Sequence, residues 1–124
     1  MEKIIHKSSH IPAAGPYSVA VEAGGFIFIS GQLGINSQTA EIIAEINAAT
    51  HQVLRNIETI LSSVGLKMEN IVKTTIYLKN IHDFPAVNKI YSEYFPHEPP
   101  ARSTVVVSNL PKGALLEIDA VAVR

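Results

Sequence analysis

The stretch of residues 115–123 is the strongest constraint on how this chain can fold. Its residues alternate in the pattern of a β-strand, in which neighbouring side chains point to opposite sides. One side is wholly apolar and is expected to lie under helices: Leu116, Ile118, Ala120 and Ala122. The other side mixes carboxylates with apolar residues: Leu115, Glu117, Asp119, Val121 and Val123. The second side is too apolar for open water and too charged for a closed core, which predicts an interface between copies with a polar pocket in it.

Composition limits the classes of protein that remain. The chain has 124 residues, of which 47% are hydrophobic and 17% charged, and this predicts one globular domain over residues 1–124. A formal net charge of −1 gives no sign of binding to nucleic acid or to an anionic membrane. The sequence has no cysteine, which excludes disulfides and a thiol nucleophile. No signal-peptide core and no membrane-length apolar run are found, so we expect a cytoplasmic protein.

The first part of the chain reads as short strands separated by turns. Ile4-Ile5 suits an edge strand, and a second strand is predicted over Ser18–Val21. Glu22–Gly25 is predicted to be a hairpin connection, because its two glycines accept positive φ. Phe26–Ile29 is apolar at every position, which predicts a strand covered on both faces, ending at Ser30-Gly31-Gln32.

The second part predicts two helices and three further strands. An apolar stripe at three–four spacing marks a helix over Ile46–Val64, with Glu45 as a weak cap. Alternation predicts a strand over Ile71–Lys79, and Asp83 is expected to cap a second helix. The resulting order, β-β-β-α-β-α-β-β, favours an α+β layer with two helices on one face of a mixed sheet.

Arg102 and Glu117 are the candidate functional residues. Arg102 follows Pro99-Pro100, whose rings restrict the backbone, and it precedes a β-branched run at residues 104–107. The guanidinium of Arg102 suits two-point binding of a carboxylate. The carboxylate of Glu117 lies inside an apolar strand, where its burial costs free energy unless it is paired, solvated or functional. Two interpretations stay open: an ion pair across neighbouring strands, or a site in which Arg102 binds an anion and Glu117 acts on water.

Motifs along essentially the whole chain resemble those of the Rid (YjgF) family of reactive-intermediate deaminases. They are Pro16-Tyr17-Ser18, Ser30-Gly31-Gln32, Ile71-Val72-Lys73-Thr74-Thr75, Val87-Asn88, Pro100-Ala101-Arg102-Ser103, Leu110-Pro111-Lys112 and Leu116-Glu117-Ile118. The resemblance implies a chorismate-mutase-like fold and a homotrimer with inward-facing sheets and sites between subunits. Three positions depart from the family pattern. Ala40 stands where the family usually has glycine, Glu45 stands where it tends to start the helix with aspartate, and Thr104 stands where members often carry cysteine.

The resemblance also implies an activity. The family hydrolyses enamines and imines of 2-amino acids, such as 2-aminoacrylate, 2-iminobutanoate and 2-iminopropanoate, to 2-keto acids and ammonia. These intermediates escape from pyridoxal-phosphate enzymes, and their hydrolysis is expected to need neither a cofactor nor a metal. In this scheme Arg102 holds the substrate carboxylate and Glu117 positions or deprotonates water. Substrate-binding roles fall to Tyr17, Ser30, Gly31, Asn88 and the backbone near Thr104.

Two other functions remain open on the sequence. A non-catalytic ligand-binding or regulatory trimer would keep Arg102 and the pocket but would not need Glu117. A ribonuclease or translation inhibitor, a label that some family members have carried, is expected to show a basic surface. The net charge of −1 gives no evidence of one.

Overall fold

The computed structural model describes residues 2–124, which form one six-stranded sheet with two α-helices. The strands are β1 Ile4–His6, β2 Ala20–Ala23, β3 Phe26–Leu33, β4 Ile71–Leu78, β5 Ala101–Val106 and β6 Leu116–Val123. The helices are α1 Ile46–Ser63 and α2 Phe84–Tyr94. This order along the chain, and the mixed α+β class, confirm the sequence prediction. No helix within residues 2–124 is long and apolar enough to cross a membrane.

The sheet has the strand order β1-β2-β3-β6-β4-β5. Only β4 and β5 pair in parallel, and all other neighbours are antiparallel. Strand β6 therefore lies between β3 and β4, although it follows both of them in the chain. Helix α2 connects the parallel neighbours β4 and β5, which is the crossover that parallel pairing requires. Strand β5 forms one edge of the sheet.

The two helices cover one face of the sheet and leave the other face open. Side chains on the covered face of the central strands are at most 3% exposed: Ile27, Ile29, Ile76, Leu78, Leu116 and Ile118. The predicted alternation of β6 is confirmed, since Ala120 and Ala122 are also buried while Glu117 and Asp119 are half-buried on the open face. One strand therefore carries a core face and a polar face.

Strand β3 corrects two predictions. Phe26 and Phe28 are 46% and 48% exposed, so the strand is covered on one face and not on both. The continuous apolar run combines residues that pack under the helices with phenylalanines on the open face. Ser30-Gly31-Gln32 does not end the strand, which continues to Leu33 with a register shift against β6 between Ile29 and Gln32. Such an irregularity re-aims the side chains beside it.

Strand boundaries and caps differ from the prediction in detail. The hairpin turn consists of Gly24 and Gly25 alone, both at positive φ, so Glu22 belongs to β2. The side chain of Glu45 does cap α1, because its Oε2 accepts a hydrogen bond from the backbone N–H of residue 48 at 2.9 Å. The predicted cap by Asp83 is wrong. This residue already has helical φ and ψ, and its side chain makes no capping bond.

Candidate functional site

Arg102 lies on the helix-covered side of the edge strand β5, where α2 holds its guanidinium. It pairs in register with Thr74 of β4, whose side chain is buried under the helices. Arg102 Nη1 donates to Asn88 Oδ1 at 2.8 Å. Its guanidinium carbon lies 4.9 Å from the ring centre of Tyr91 and 5.6 Å from that of Phe84. Because residues three and four apart share one side of a helix, α2 presents Phe84, Asn88 and Tyr91 as one continuous surface.

These contacts fix the position of the guanidinium but leave it donors to spare. A guanidinium carries five N–H donors in a fixed fork, and the side chain of Asn88 occupies one of them. The rings of Phe84 and Tyr91 limit its motion through cation–π attraction, at roughly 0.5–1 kcal/mol per contact at exposed sites. The remaining donors have a geometry that suits a planar carboxylate.

Thr104 shares the strand face of Arg102, two residues further along β5. Its Oγ1 is buried and has no hydrogen-bond partner within residues 2–124. A hydroxyl nucleophile needs an adjacent base that accepts its proton. Within one copy of the chain, the side chain of Thr104 has no such partner.

Glu117 lies on the open face of the central strand β6. It pairs in register with Leu33 of β3 and with Tyr77 of β4. Its side chain packs directly over the backbone of Gly31, because a Cβ placed at position 31 would lie 2.7 Å from Glu117 Cδ. Any larger residue at position 31 would therefore clash with Glu117, and the glycine lets the carboxylate lie close to the backbone of β3.

The environment of Glu117 shifts its protonation. Burial raises the pKa of this carboxyl above its ordinary value, and repulsion from the Asp119 carboxylate raises it further. Asp119 itself accepts a hydrogen bond from the hydroxyl of Tyr77 at 3.1 Å. No hydrogen bond within residues 2–124 offsets the desolvation of Glu117. A carboxylate with a raised pKa is a stronger base, and such residues are frequent in reactive sites.

A cavity of about 480 Å³ adjoins Glu117 and Gly31. It lies beside the half of β3 that extends beyond its pairing with β2. Four of the predicted site residues line it: Tyr17, Ser30, Gly31 and Glu117. The hydroxyl of Tyr17 accepts from the backbone N–H of Ala14 at 3.2 Å, and Ser30 Oγ donates to the carbonyl of Ser18 at 2.6 Å. Both side chains thus hold the loop that forms one wall of the cavity.

The predicted residues therefore form two groups within one copy of the chain. Arg102 and Asn88 do not line the cavity that contains Glu117. Arg102 and Glu117 lie on opposite faces of the sheet, so of the two interpretations left open by the sequence, the ion pair across neighbouring strands is wrong. The salt bridges found within residues 2–124 both involve Glu22. The same residues contain no cluster of three or more metal-ligating side chains.

Sequence reasoning missed several residues of both groups. Tyr91 and Phe84 stack on Arg102, and their spacing from Asn88 along α2 was the available signal. Gln32 and Asn56 also line the cavity. The Ser30-Gly31-Gln32 motif was the available signal for Gln32, whereas no local pattern in the sequence indicates Asn56. Their proximity results from the packing of α1 beside the far half of β3.

Fold and site together define a small α+β sheet protein with a positioned arginine that has free donors and with a desolvated carboxylate. The model of the Endoribonuclease L-PSP family matches residues 7–124 of the chain. A RutC family protein of Pyrococcus horikoshii is 43% identical over 125 residues, covering 100% of this chain and 99% of that protein.

Solved structures agree with this match. A conserved Rid family protein from Yersinia pestis superposes with a TM-score of 0.96 at 43% identity, covering 99% of this chain and 100% of that one. TdcF of E. coli, solved with bound serine, gives a TM-score of 0.93 at 36% identity and 98% coverage of both chains. The chain therefore belongs to the Rid (YjgF) family, and the resemblance found in the sequence is confirmed.

Proposed function

We propose that this protein is a deaminase that hydrolyses 2-imino acids and their enamine forms to 2-keto acids and ammonia. The observation that carries the proposal is the pair of complementary groups just described. One is a preorganised guanidinium with free donors, and the other is a desolvated carboxylate with a raised pKa beside a cavity. A substrate with a carboxylate next to a hydrolysable C=N bond needs both.

Arg102 binds the carboxylate of the substrate in this proposal. The side chain of Asn88 and the rings of α2 already orient its fork. Little motion then remains to be lost when the substrate binds, which favours affinity. The E. coli relative TdcF was solved with serine, a 2-amino acid that presents the same carboxylate. This supports a 2-amino-acid skeleton as the ligand class.

Glu117 activates the water that attacks the imine carbon. The water oxygen forms the new C–O bond while its proton passes to the Glu117 carboxylate. The C=N π pair moves to the nitrogen, which takes this proton from Glu117, and the product is a tetrahedral carbinolamine. The hydroxyl of the carbinolamine then loses its proton to Glu117, which passes it to the nitrogen. The C=O bond forms as the C–N bond breaks, and ammonia leaves with a 2-keto acid as the second product. Free imines already hydrolyse in water, so orientation and one base supply enough acceleration. No covalent step is needed for this reaction.

A complete site requires two copies of the chain, because Arg102 and Glu117 lie on opposite faces of one sheet. The open face supports association, since it exposes large apolar side chains by 41–48%: Phe26, Phe28, Val72 and Val105. We propose a homotrimer in which the β5 edge of one copy meets the open face of the next. A ring of this kind closes when each copy offers two different surfaces, and it places three sites between subunits.

Two alternatives lead to different experimental results. A ligand-binding or regulatory trimer would bind 2-keto acids without turnover. The family description names an endoribonuclease, which requires RNA cleavage. The raised pKa of Glu117 favours a reaction over binding alone, because a proton transfer uses a stronger base and binding does not. The cytoplasm, where pyridoxal-phosphate enzymes release such intermediates, is the compartment that this proposal implies.

The decisive experiment measures release of pyruvate from 2-aminoacrylate that a serine dehydratase generates in the same cuvette. We expect the purified protein to accelerate pyruvate release above the rate in buffer, and Glu117→Gln to remove the acceleration. RNA incubated with the same preparation is expected to stay intact. Binding of 2-oxobutanoate with no acceleration would instead support the regulatory alternative, and RNA cleavage that Glu117→Gln abolishes would support the nuclease.

A further inference from the structure

We infer that Lys73 of one copy of the chain forms an ion pair with Asp119 of the next copy, and that this pair fixes how the two copies meet. The inference rests on the proposed function, of which the homotrimer is a part. It adds the residues that align the trimer boundary and that tune Glu117 across it. The evidence is the charge of the open face, the orientation of the Lys73 ammonium and the position of Asp119 beside Glu117.

The open face of the neighbouring strands β4 and β6 carries three charged side chains: Lys73, Glu117 and Asp119. All three are half-buried even in a single copy. The salt bridges found within residues 2–124 both involve Glu22, so none of the three has an ion-pair partner there. A trimer interface that covers this face would remove water from these charges. Such desolvation is costly unless the charges become paired.

The ammonium of Lys73 points toward the edge of the sheet and away from the Asp119 of its own chain. Lys73 Nζ donates to Ser103 Oγ of β5 at 3.0 Å and to the carbonyl of Thr74 at 3.0 Å. Strand β4 lies between β5 and β6, so the side chain has turned to the side opposite Asp119. A pair within one copy is within reach, because Lys73 pairs in register with Val121 and is a diagonal neighbour of Asp119. The structure shows the other orientation.

The proposed trimer brings this ammonium to the acidic residues of the neighbouring copy. The β5 edge of one copy meets the open face of the next, and this contact places Arg102 near Glu117. Ser103, which accepts the hydrogen bond from Lys73, directly follows Arg102 in β5. Asp119 lies two residues after Glu117 on the same face of β6. These offsets are about 4 Å and about 7 Å, which the long stem of a lysine side chain can span.

Asp119 has the capacity to accept this cation. A carboxylate offers about four lone-pair positions, and the hydroxyl of Tyr77 occupies one of them at 3.1 Å. The ammonium has three donors, of which Ser103 and the carbonyl of Thr74 take two. One donor therefore remains for the carboxylate of the neighbouring copy.

The pair would also act on Glu117. Repulsion from Asp119 is one cause of the raised pKa of this carboxyl, and a cation beside Asp119 offsets part of that repulsion. The other titratable or charged side chains that adjoin Glu117 are Tyr77 on β4, His10 and Lys112 in the cavity lining, and Arg102 of the neighbouring copy. Assembly is therefore expected to lower the pKa of Glu117 relative to an isolated copy, while burial still raises it.

Charge reversal tests whether the pair joins two copies. Lys73→Glu places two acids at each boundary and Asp119→Lys places two bases, so we expect each variant alone to weaken trimer formation at least about tenfold. A mixture of the two variants should form trimers again, because the introduced acid of one chain then meets the introduced base of the other. Sedimentation velocity of each variant and of the mixture measures this, with different tags on the two chains.

The mixture separates a pair between copies from a pair within one copy. A pair within one copy would leave each chain with its own internal repulsion, so mixing would restore nothing. The double variant Lys73→Glu/Asp119→Lys should form trimers in either case, and it shows that both positions tolerate the new side chains. Failure of the mixture while the double variant assembles would overturn the inference, as would wild-type assembly of both single variants.

The pH profile of turnover tests the effect on Glu117, which a purely structural role would leave unchanged. Lys73→Met removes the cation, so the pKa of Glu117 should rise. The acid limb of the kcat profile should then move to higher pH by roughly 0.5 unit. Lys67→Met is the matched control, because Lys67 is an exposed lysine before β4 and its loss changes the net charge equally. The same limb in Lys73→Met as in Lys67→Met would refute the effect on Glu117.

The outcomes separate this inference from the function on which it rests. A monomeric wild type would overturn both. Wild-type trimers that hydrolyse no imine would refute the proposed function alone, because sedimentation still decides on the ion pair. Active wild-type trimers for which mixing of the charge-reversed chains restores nothing would refute the ion pair alone.

Discussion

Arg102 and Glu117 are both charged residues in strands, yet their surroundings differ in kind. Arg102 is held in position before any ligand arrives, by a hydrogen bond to Asn88 and by the rings of α2. Glu117 is left without a hydrogen bond, and burial together with Asp119 raises its pKa. The first environment stabilises the charge of the side chain, whereas the second destabilises it.

This difference corresponds to two different tasks. A group that binds the substrate works best when its geometry is fixed beforehand. A group that takes a proton works best when its basicity is raised, as it is for a desolvated carboxylate that becomes more stable once it is protonated. The comparison therefore predicts that the two residues respond differently to conservative substitution, to recombination between subunits and to pH.

The largest expected effect is on Glu117. Glu117→Gln keeps the shape of the side chain but removes its basicity, so we expect turnover to fall by roughly 10²–10⁴-fold, the range for a general base. Folding and product affinity should persist, because the neutral amide suits a desolvated position. Turnover, 2-keto acid affinity and melting temperature are measured on the same preparation.

Thr104→Val is the matched control for that experiment. It removes a buried hydroxyl that has no partner, so we expect turnover to stay close to that of the wild type and stability to hold or rise. If Thr104→Val were the inactive variant and Glu117→Gln the active one, a covalent mechanism would replace the one proposed here.

The next largest effect is expected for Arg102→Lys. Lysine keeps the charge but cannot reproduce the planar fork, nor the hydrogen bond to Asn88 in the same geometry. We expect a loss of about 2–4 kcal/mol in kcat/KM, which includes the substrate carboxylate left poorly paired. Wild-type efficiency in Arg102→Lys would mean that the guanidinium only supports the packing of α2.

Mixed trimers that combine Arg102→Lys chains with Glu117→Gln chains should regain part of the wild-type turnover. Co-expression of Arg102→Lys and Glu117→Gln chains under different tags yields mixed trimers, and sedimentation equilibrium establishes the trimeric state. Each mixed trimer would contain one boundary with both residues intact, so we expect about one-third of wild-type turnover. A well-folded monomer at micromolar concentration, or mixed trimers as inactive as their parents, would refute the two-copy site.

A milder effect is expected when the orientation of Arg102 is loosened. Asn88→Ala removes the acceptor of the Nη1 hydrogen bond but leaves the guanidinium and both rings in place. We expect a loss of about 1 kcal/mol or somewhat more, appearing mainly in KM because the carboxylate is bound in both ground state and transition state. A change confined to kcat would assign Asn88 a role in the chemical step.

The pH dependence gives the smallest and most specific signal. Turnover requires ionised Glu117, so it should decline as the pH falls through the raised pKa of this carboxyl. Asp119→Asn removes one cause of that raised pKa, and the acid limb of the kcat profile should move to lower pH. Because the folded-state pKa lies above the ordinary value, the unfolding free energy should decrease as the pH rises through this window. An unmoved limb would indicate that another group titrates.

Strand β6 shows how much of this arrangement the sequence could supply. Its alternation identified the core face and the polar face without error, because a period of two is a local property of a strand. The run Phe26–Ile29 was misjudged, since an apolar residue on an open face looks the same in sequence as one in the core. Only the pairing of β3 with its neighbours distinguishes the two cases.

The candidate site shows the same difference between local properties, which the sequence reveals, and non-local pairing, which it does not. The residue types of Arg102 and Glu117 indicated binding and proton transfer, and the family motif located both. Their separation onto opposite faces was not visible, because it depends on the register of β5 and β6 against β4. Arg102 pairs with Thr74 and Glu117 pairs with Tyr77, and these two positions of β4 point to opposite faces. The close approach of Glu117 to Gly31 also arises from non-local pairing, across β3 and β6.

The central position of β6 has a consequence for how the molecule is made. A ribosome delivers β3 and β4 well before β6, so a partly synthesised chain has two strands whose facing edges have no partner. Unpaired edges of this kind favour intermolecular association, and non-local pairings form slowly. The sheet is completed only when residues 116–123 emerge, and these same residues deliver Glu117. An incompletely synthesised chain therefore lacks a continuous sheet and the proposed base together, and no folded but base-free intermediate is expected to accumulate during translation.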